Sequence, residues 1–288
     1  MAYLGIPQNT IAVLQKYNIS FQKKFGQNFL IDTHVLEKIV AAADITRDDL
    51  VIEIGPGIGT LTQYLCEAAG EVLAIEIDRN LIPILENDTL KDYDNVTVIN
   101  ADVLKLDLAK IIEEHAPKRF TKVVANLPYY ITTPIVMQVL ESGAPVESMT
   151  VMVQKEVAER LQAKPGTPDY GAITLAVQYY TTPSIAANVP MNCFMPRPNV
   201  DSAVLCLKRH LKPQVEVKDE KLMFALIRAS FNKRRKTLLN GLSTGDNINR
   251  TKEELLKAFE ECGLSPSVRG ETLGLSDFAA LANALCEG

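Results

Sequence analysis

The chain has 288 residues, 47% hydrophobic and 23% charged, which allows one large or two ordinary domains with a real buried core. Its net charge of −5, from 30 basic and 35 acidic residues, argues against a nucleic-acid binder if it is spread evenly, because such proteins carry a basic excess. No apolar run nears the roughly 20 residues of a membrane span, no charged-then-apolar leader opens the chain, and the five cysteines lack a C-x-x-C pair, so no membrane, no metal, no disulfide framework and a cytoplasmic location are expected.

In chain order, short β-type runs at residues 50–54, 72–77, 96–100, 122–125 and 149–153 alternate with helical patterns such as 60–68 and 81–86. Strands alternating with helices predict a parallel sheet covered on both faces. Runs near 176–180 and at 203–207 predict two more strands with no good helix between them, hence an antiparallel edge, with Pro183 and Pro190 limiting the intervening segment. Residues 1–210 therefore read as an α/β domain. Residues 211–220 are polar, contain Pro213, and read as a linker. Beyond them the pattern is helical only: residues 221–239 place Phe224, Ile227, Phe231 and Leu238 near one face, and Asn240-Gly241 supplies a stop. Thr251 and Glu254 form a capping box, and Ser276 is placed to cap a last helix with Phe278, Leu281 and Leu285. Residues 211–288 are expected to form a small helical domain.

Polar stations fall at the ends of four successive strands. The first strand runs into Gly55-Pro56-Gly57-Ile58-Gly59-Thr60, where glycine permits a tight turn and close approach of backbone to a ligand. Glu76 lies 21 positions after Gly55, the spacing at which an acid meets ribose hydroxyls. Asp102 and Asn126 follow at steps of 26 and 24, about one βα unit each. All four stations thus share the carboxyl edge of the sheet, where open α/β sheets bind ligands. Residues 51–100 hold 2 basic and 9 acidic residues, a charge that would repel a pyrophosphate at the helix N-terminus. A phosphate-free or cationic ligand fits better, and S-adenosylmethionine carries an adenosine, a sulfonium cation and no phosphate.

Asn126-Leu127-Pro128-Tyr129 suits an exocyclic amine of a base as substrate. The lone pair of such an amine is delocalised into the ring. Acceptors aimed at both N–H groups, the Asn126 side-chain oxygen and the Leu127 carbonyl, would favour a pyramidal, more nucleophilic nitrogen. Pro128 biases Leu127 towards an extended conformation, and Tyr129 offers a face on which an extruded base can stack.

Together with Lys24-Phe25-Gly26-Gln27-Asn28-Phe29-Leu30, Glu53-Ile54-Gly55-Pro56-Gly57, Ile75-Glu76, Phe194-Met195-Pro196-Arg197-Pro198 and Phe231-Asn232-Lys233-Arg234-Arg235-Lys236-Thr237, these motifs resemble the small-subunit (16S) ribosomal RNA adenine N6,N6-dimethyltransferases over almost the whole chain. The resemblance implies a Rossmann-like S-adenosylmethionine-dependent methyltransferase fold, a seven-stranded, mostly parallel sheet with a C-terminal helical domain. It implies dimethylation of two adjacent adenosines in a hairpin near the 3′ end of 16S rRNA, within the small ribosomal subunit or its precursor. It implies cofactor contacts from Asn28, Leu30, Gly55, Gly57, Glu76, Asp102 and Asn126, and a second stacking surface from Phe194.

Residues 201–250 hold 11 basic and 5 acidic residues. Arg228, Lys233, Arg234, Arg235 and Lys236 are the candidates for phosphate contacts, which supply affinity and orientation rather than base choice, and Lys23 and Lys24 could add to the rim of the site. A monomer is expected. The competing readings are a large-subunit (23S) rRNA adenine methyltransferase and a non-catalytic ribosome-assembly or transcription factor of the same fold.

Overall fold

The computed structural model describes residues 2–19, 28–115, 120–233, 236–245 and 248–287. The chain forms two compact units, one of residues 1–158 and 183–209, the other of residues 159–182 and 210–288. Residues 159–182 thus cluster with the C-terminal helices, so the units do not divide at a single point near residue 210.

The first unit contains helix α1 (Pro7–Lys16), the two-residue strand β1 (Phe29–Leu30), α2 (Thr33–Ala43), β2 (Leu50–Ile54), α3 (Thr60–Ala68) and β3 (Glu71–Glu76). After these come a short α4 (Ile82–Ile84) continued by a π-turn (Leu85–Thr89), β4 (Val96–Asn100), α5 (Leu108–His115), β5 (Thr121–Asn126), α6 (Thr132–Glu141) and β6 (Val146–Gln154). Helix α7 (Lys155–Leu161) leads out of this unit and α8 (Ala172–Tyr180) belongs to the second, after which the edge strand β7 (Thr181–Val189), a second two-residue strand β8 (Phe194–Met195) and β9 (Ser202–Arg209) complete the first.

Seven strands form one sheet in the order β4-β3-β2-β5-β6-β9-β7. The pairs β2–β3, β2–β5, β3–β4 and β5–β6 are parallel, and β9 runs antiparallel to β6. Strand β2, Leu-Val-Ile-Glu-Ile, is buried at every residue, as a central parallel strand covered on both faces must be. The chain proceeds outward from β2 through β3 to β4, then returns to place β5 on the other side of β2. That reversal puts a crevice at the carboxyl ends of β2 and β5, the switch point at which open α/β sheets bind ligands. Strands β1 and β8 pair antiparallel, Leu30 opposite Phe194 and Phe29 opposite Met195.

The segment at 176–180, expected as a strand, is the end of α8, and the sixth strand of the sheet follows at Thr181–Val189. The run Ala-Ile-Thr-Leu-Ala-Val-Gln-Tyr-Tyr fits either period. Leu175 and Tyr179, one turn apart, bury in the core of the second unit, and the Thr174 hydroxyl accepts from the Gly171 N–H at 3.1 Å. Packing and capping together select the helix.

In the second unit the helix expected over 221–239 is two: α9 (Glu220–Asn232) and α10 (Leu238–Leu242). Asp219 caps the first, accepting from Leu222 N–H at 3.0 Å. Thr237 caps the second, so Asn240-Gly241 falls inside a helix instead of ending one. The capping box at Thr251 and Glu254 opens α11 (Lys252–Glu261). The last helix, α12 (Leu275–Glu287), begins one residue before Ser276, and Asp277 rather than Ser276 accepts the Gly274 N–H, at 2.8 Å. Met223, Leu226, Phe259, Phe278 and Leu281 are among the buried residues of this unit's core. All five cysteines are free thiols. Among the described residues no helix is long and apolar enough to cross a membrane and no cluster of side chains could hold a metal ion.

Candidate active site

The carboxyl ends of β2, β3 and β5, with the turn after β4, line one cleft in the first unit. It encloses about 1050 Å³ of atom-free space, part of it open solvent.

The loop after β2 takes its shape from glycine. Gly55 and Gly57 have φ of +73° and +61°, values that favour residues without a Cβ. A Cβ on Gly57 would lie 2.9 Å from the Phe29 ring, whereas one on Gly55 would meet nothing within 4 Å. Gly57 therefore permits close packing of the β1 segment, and Gly55 keeps backbone open to the cleft.

At the end of β3, Glu76 accepts from the Gly57 N–H at 3.0 Å and from the Asp78 N–H at 2.7 Å. These bonds hold the carboxylate against the glycine loop. Burial raises its pKa above the usual carboxylate range, opposed by the N–H groups of Asp78 and Gly57. Beyond β4, Asp102 accepts from the Leu104 N–H at 3.1 Å and lies 3.5 Å from the Lys105 ammonium.

At the end of β5, the Asn126 side-chain N–H donates to the Asn28 carbonyl at 3.0 Å. This bond sets the amide's orientation and leaves Oδ1 as the atom for a ligand. The next peptide is fixed as well, since Leu127 N–H donates to the Met152 carbonyl at 3.2 Å. Pro128, at φ −60° and ψ 131°, leads into a 3-10 turn over Tyr129–Ile131. The Tyr129 hydroxyl lies 2.7 Å from that of Ser202, a buried residue of β9. Burial raises the Tyr129 pKa, and the Ser202 contact opposes the shift.

Of the residues singled out from sequence, the structure brings Asn28, Leu30, Gly55, Gly57, Glu76, Asp102, Asn126, Leu127, Pro128 and Tyr129 to this cleft. It does not bring Phe194 there. That ring is 3% exposed and belongs to a buried cluster with Leu30, Val124, Met152 and Val204. Pairing of β8 with β1 turns it inward, so it supports the wall behind Leu30 instead of presenting a face to a base. Arg228, Lys233 and Lys236 are exposed in the second unit, where Lys233 donates to the Thr244 hydroxyl at 2.7 Å. Arg234, Arg235, Lys23 and Lys24 lie outside the described residues.

Tyr130 and Glu53 are among the cleft residues to which the sequence assigns no site role. Tyr130 lines the cleft beside Tyr129. Glu53 is 1% exposed, lines the cleft floor, and has an oxygen, Oε2, with no hydrogen-bond partner among the described residues. Burial, helped by the charge of Glu76, pushes its carboxyl up to about 8. An acid inside an otherwise apolar central strand was the available signal. The lining holds Glu53, Glu76 and Asp102 but no Lys, Arg or His among the described residues. Such a donor set suits hydroxyls, amines and a cation, and disfavours phosphate.

Residues 18–264 match the family described as ribosomal RNA adenine dimethylase. The chain is 62% identical over 287 residues to a protein named ribosomal RNA small subunit methyltransferase A from Lachnoclostridium phytofermentans, spanning 100% of this chain and 99% of that one. The fold is similar to a dimethyladenosine transferase from Plasmodium falciparum, with TM-score 0.71 and 27% identity over 88% of this chain and 95% of that chain. It is also similar to a 23S rRNA methyltransferase, with TM-score 0.67 and 26% identity over 90% of this chain and 100% of that one.

Proposed function

The chain belongs to the ribosomal RNA adenine dimethylase family, and on that premise we propose that it methylates N6 of two adjacent adenosines in a hairpin near the 3′ end of 16S rRNA, within the small ribosomal subunit or its precursor. The observation that supports this reading is the tie between Asn126 Nδ2 and the Asn28 carbonyl, which engages the amide's donor side and leaves Oδ1 to accept from a base amine.

The cleft fits S-adenosylmethionine: an open glycine backbone at Gly55, a lining with acids and no lysine or arginine among the described residues, and a buried carboxylate at Glu76. When bound, that molecule supplies an electrophilic methyl group on a sulfonium cation. Glu76 would take the ribose hydroxyls, Asp102 the adenine amine, and Asn28 and Leu30 would cover the ligand from β1. The target adenine would stack on Tyr129, whose hydroxyl is anchored to Ser202. Asn126 Oδ1 and the Leu127 carbonyl would accept its two N6–H groups and localise the lone pair for in-line attack. Asn126 is no base at neutral pH, so positioning dominates, and the N6 proton leaves to solvent after transfer. Arg228, Lys233, Arg234, Arg235 and Lys236 would contact phosphates.

Under-methylated small subunits and large subunits, incubated in parallel with labelled methyl donor and followed by mapping of the modified base, test the reading. Label on N6 of adjacent small-subunit adenosines is expected. Label confined to the large subunit, or none, would overturn it.

A further inference from the structure

Tyr129 and Tyr130 are consecutive, line the same cleft, and have opposite surroundings. The turn that carries them is closed by the Ile131 N–H donating to the Pro128 carbonyl at 3.1 Å. Successive side chains in such a turn diverge by about a third of a revolution, so the two rings leave the backbone in different directions. Tyr129 is tethered to Ser202. Tyr130 is 62% exposed and makes no hydrogen bond or ring contact among the described residues.

We propose that the Tyr130 ring is a stacking platform for the nucleotide next to the base being methylated. The inference rests on the RNA methyl-transfer reading above. A base drawn into a cleft leaves its chain neighbour without a stacking partner. A flat π-face at the cleft rim restores one whatever the neighbour's identity. Tyr129 then holds the reacting base and Tyr130 registers the strand, so that the extruded base enters at the correct depth to reach Asn126. The contact is through the ring face and not the hydroxyl, which makes Tyr130 a substrate-positioning residue with no part in binding the methyl donor.

The test compares Tyr130→Ala, Tyr130→Phe and Tyr130→Trp in the full chain on under-methylated small subunits. Tyr130→Ala should lower kcat/KM roughly 5- to 150-fold, the range for loss of one base–aromatic stack, with calorimetric affinity for S-adenosylmethionine unchanged. Tyr130→Phe should retain wild-type kcat/KM. Since the chain has no tryptophan, Tyr130→Trp introduces a single indole that can be excited selectively over tyrosine, and its fluorescence should be quenched on titration with a short RNA hairpin bearing two unpaired adenosines. Wild-type kcat/KM in Tyr130→Ala, an equal loss in Tyr130→Phe, or unquenched emission at saturating hairpin would each overturn the stacking role while wild-type methylation stands. Absence of methylation by the wild type would instead remove the reading on which the inference rests. Should Tyr130→Ala fail to fold, the phenylalanine variant and the emission titration still decide.

Discussion

The amide of Asn126 donates to the carbonyl of Asn28 at 3.0 Å, across 98 positions of sequence. One bond thereby joins the strand that ends at the proposed reaction centre to the segment proposed to cover the methyl donor. Removing the side chain loses both the acceptor for the base amine and this tie. Asn126→Ala should reduce methyl incorporation into under-methylated small subunits by about 10²-fold or more, the cost of losing one placed polar contact in a transition state. It should still unfold in a cooperative transition within a few degrees of the wild type, because Asn126 is only half-buried and a single hydrogen bond is lost. Wild-type-like incorporation would remove Asn126 from the reaction centre.

Glu76 is held by two backbone N–H groups before any ligand arrives, so its carboxylate is preorganised towards the cleft. Glu76→Ala should weaken calorimetric affinity for S-adenosylmethionine by about tenfold or more, as expected for hydrogen bonds to a charged acceptor. An unchanged affinity would show that Glu76 only shapes the glycine loop.

These two positions were legible in the sequence because the βα repeat fixes where strands end, and a polar residue at each of four successive ends is hard to hide in a core. The carboxyl-edge location follows from the same repeat. What the sequence could not convey was long-range pairing. Nothing local announces that Phe29 and Leu30 pair with Met195 and Phe194, so Phe194, beside a proline-rich turn, reads as a stacking surface when its ring is in fact buried. The run ending at Tyr180 carries an apolar pattern that either period satisfies, and only the second unit's core resolves it. Glu53 belongs to the glycine motif, but its raised pKa arises from burial that only the assembled sheet creates. Tyr130 was masked by its neighbour: two identical side chains in a row give no hint that one is anchored and the other exposed.

Glu53 makes a pH prediction of its own. Its carboxyl is raised from 4.5 to about 8 in the folded chain. Between those values the folded state holds a proton that the unfolded state has released, so stability falls as pH rises, by up to about 1.4 kcal/mol per unit, and levels off above the folded pKa. Glu53→Gln preserves size and removes the titration. Urea unfolding of the two proteins from pH 5 to pH 8 should give a difference that grows in favour of the glutamine variant as pH rises. A pH-independent difference would mean that Glu53 is ionised in the fold.

The charge of −5 hides an uneven spread, with 2 basic and 9 acidic residues at 51–100 and 11 basic and 5 acidic at 201–250, and the two segments have separate consequences. The cleft contains acids and no lysine or arginine among its described residues, whereas Arg228 and Lys236 are exposed in the helical unit. If these cations neutralise phosphates, each releases condensed counterions on binding, and removing one should lower the log–log salt slope of subunit binding by about 0.7–0.9. Arg228→Glu combined with Lys236→Glu should therefore weaken small-subunit binding at low salt, with the loss shrinking as salt is raised, while calorimetric affinity for S-adenosylmethionine stays at the wild-type value. Filter binding across a series of potassium chloride concentrations measures the slope. A slope equal to that of the wild type would make these residues solvated surface charges and move the RNA contact to other cations of the chain.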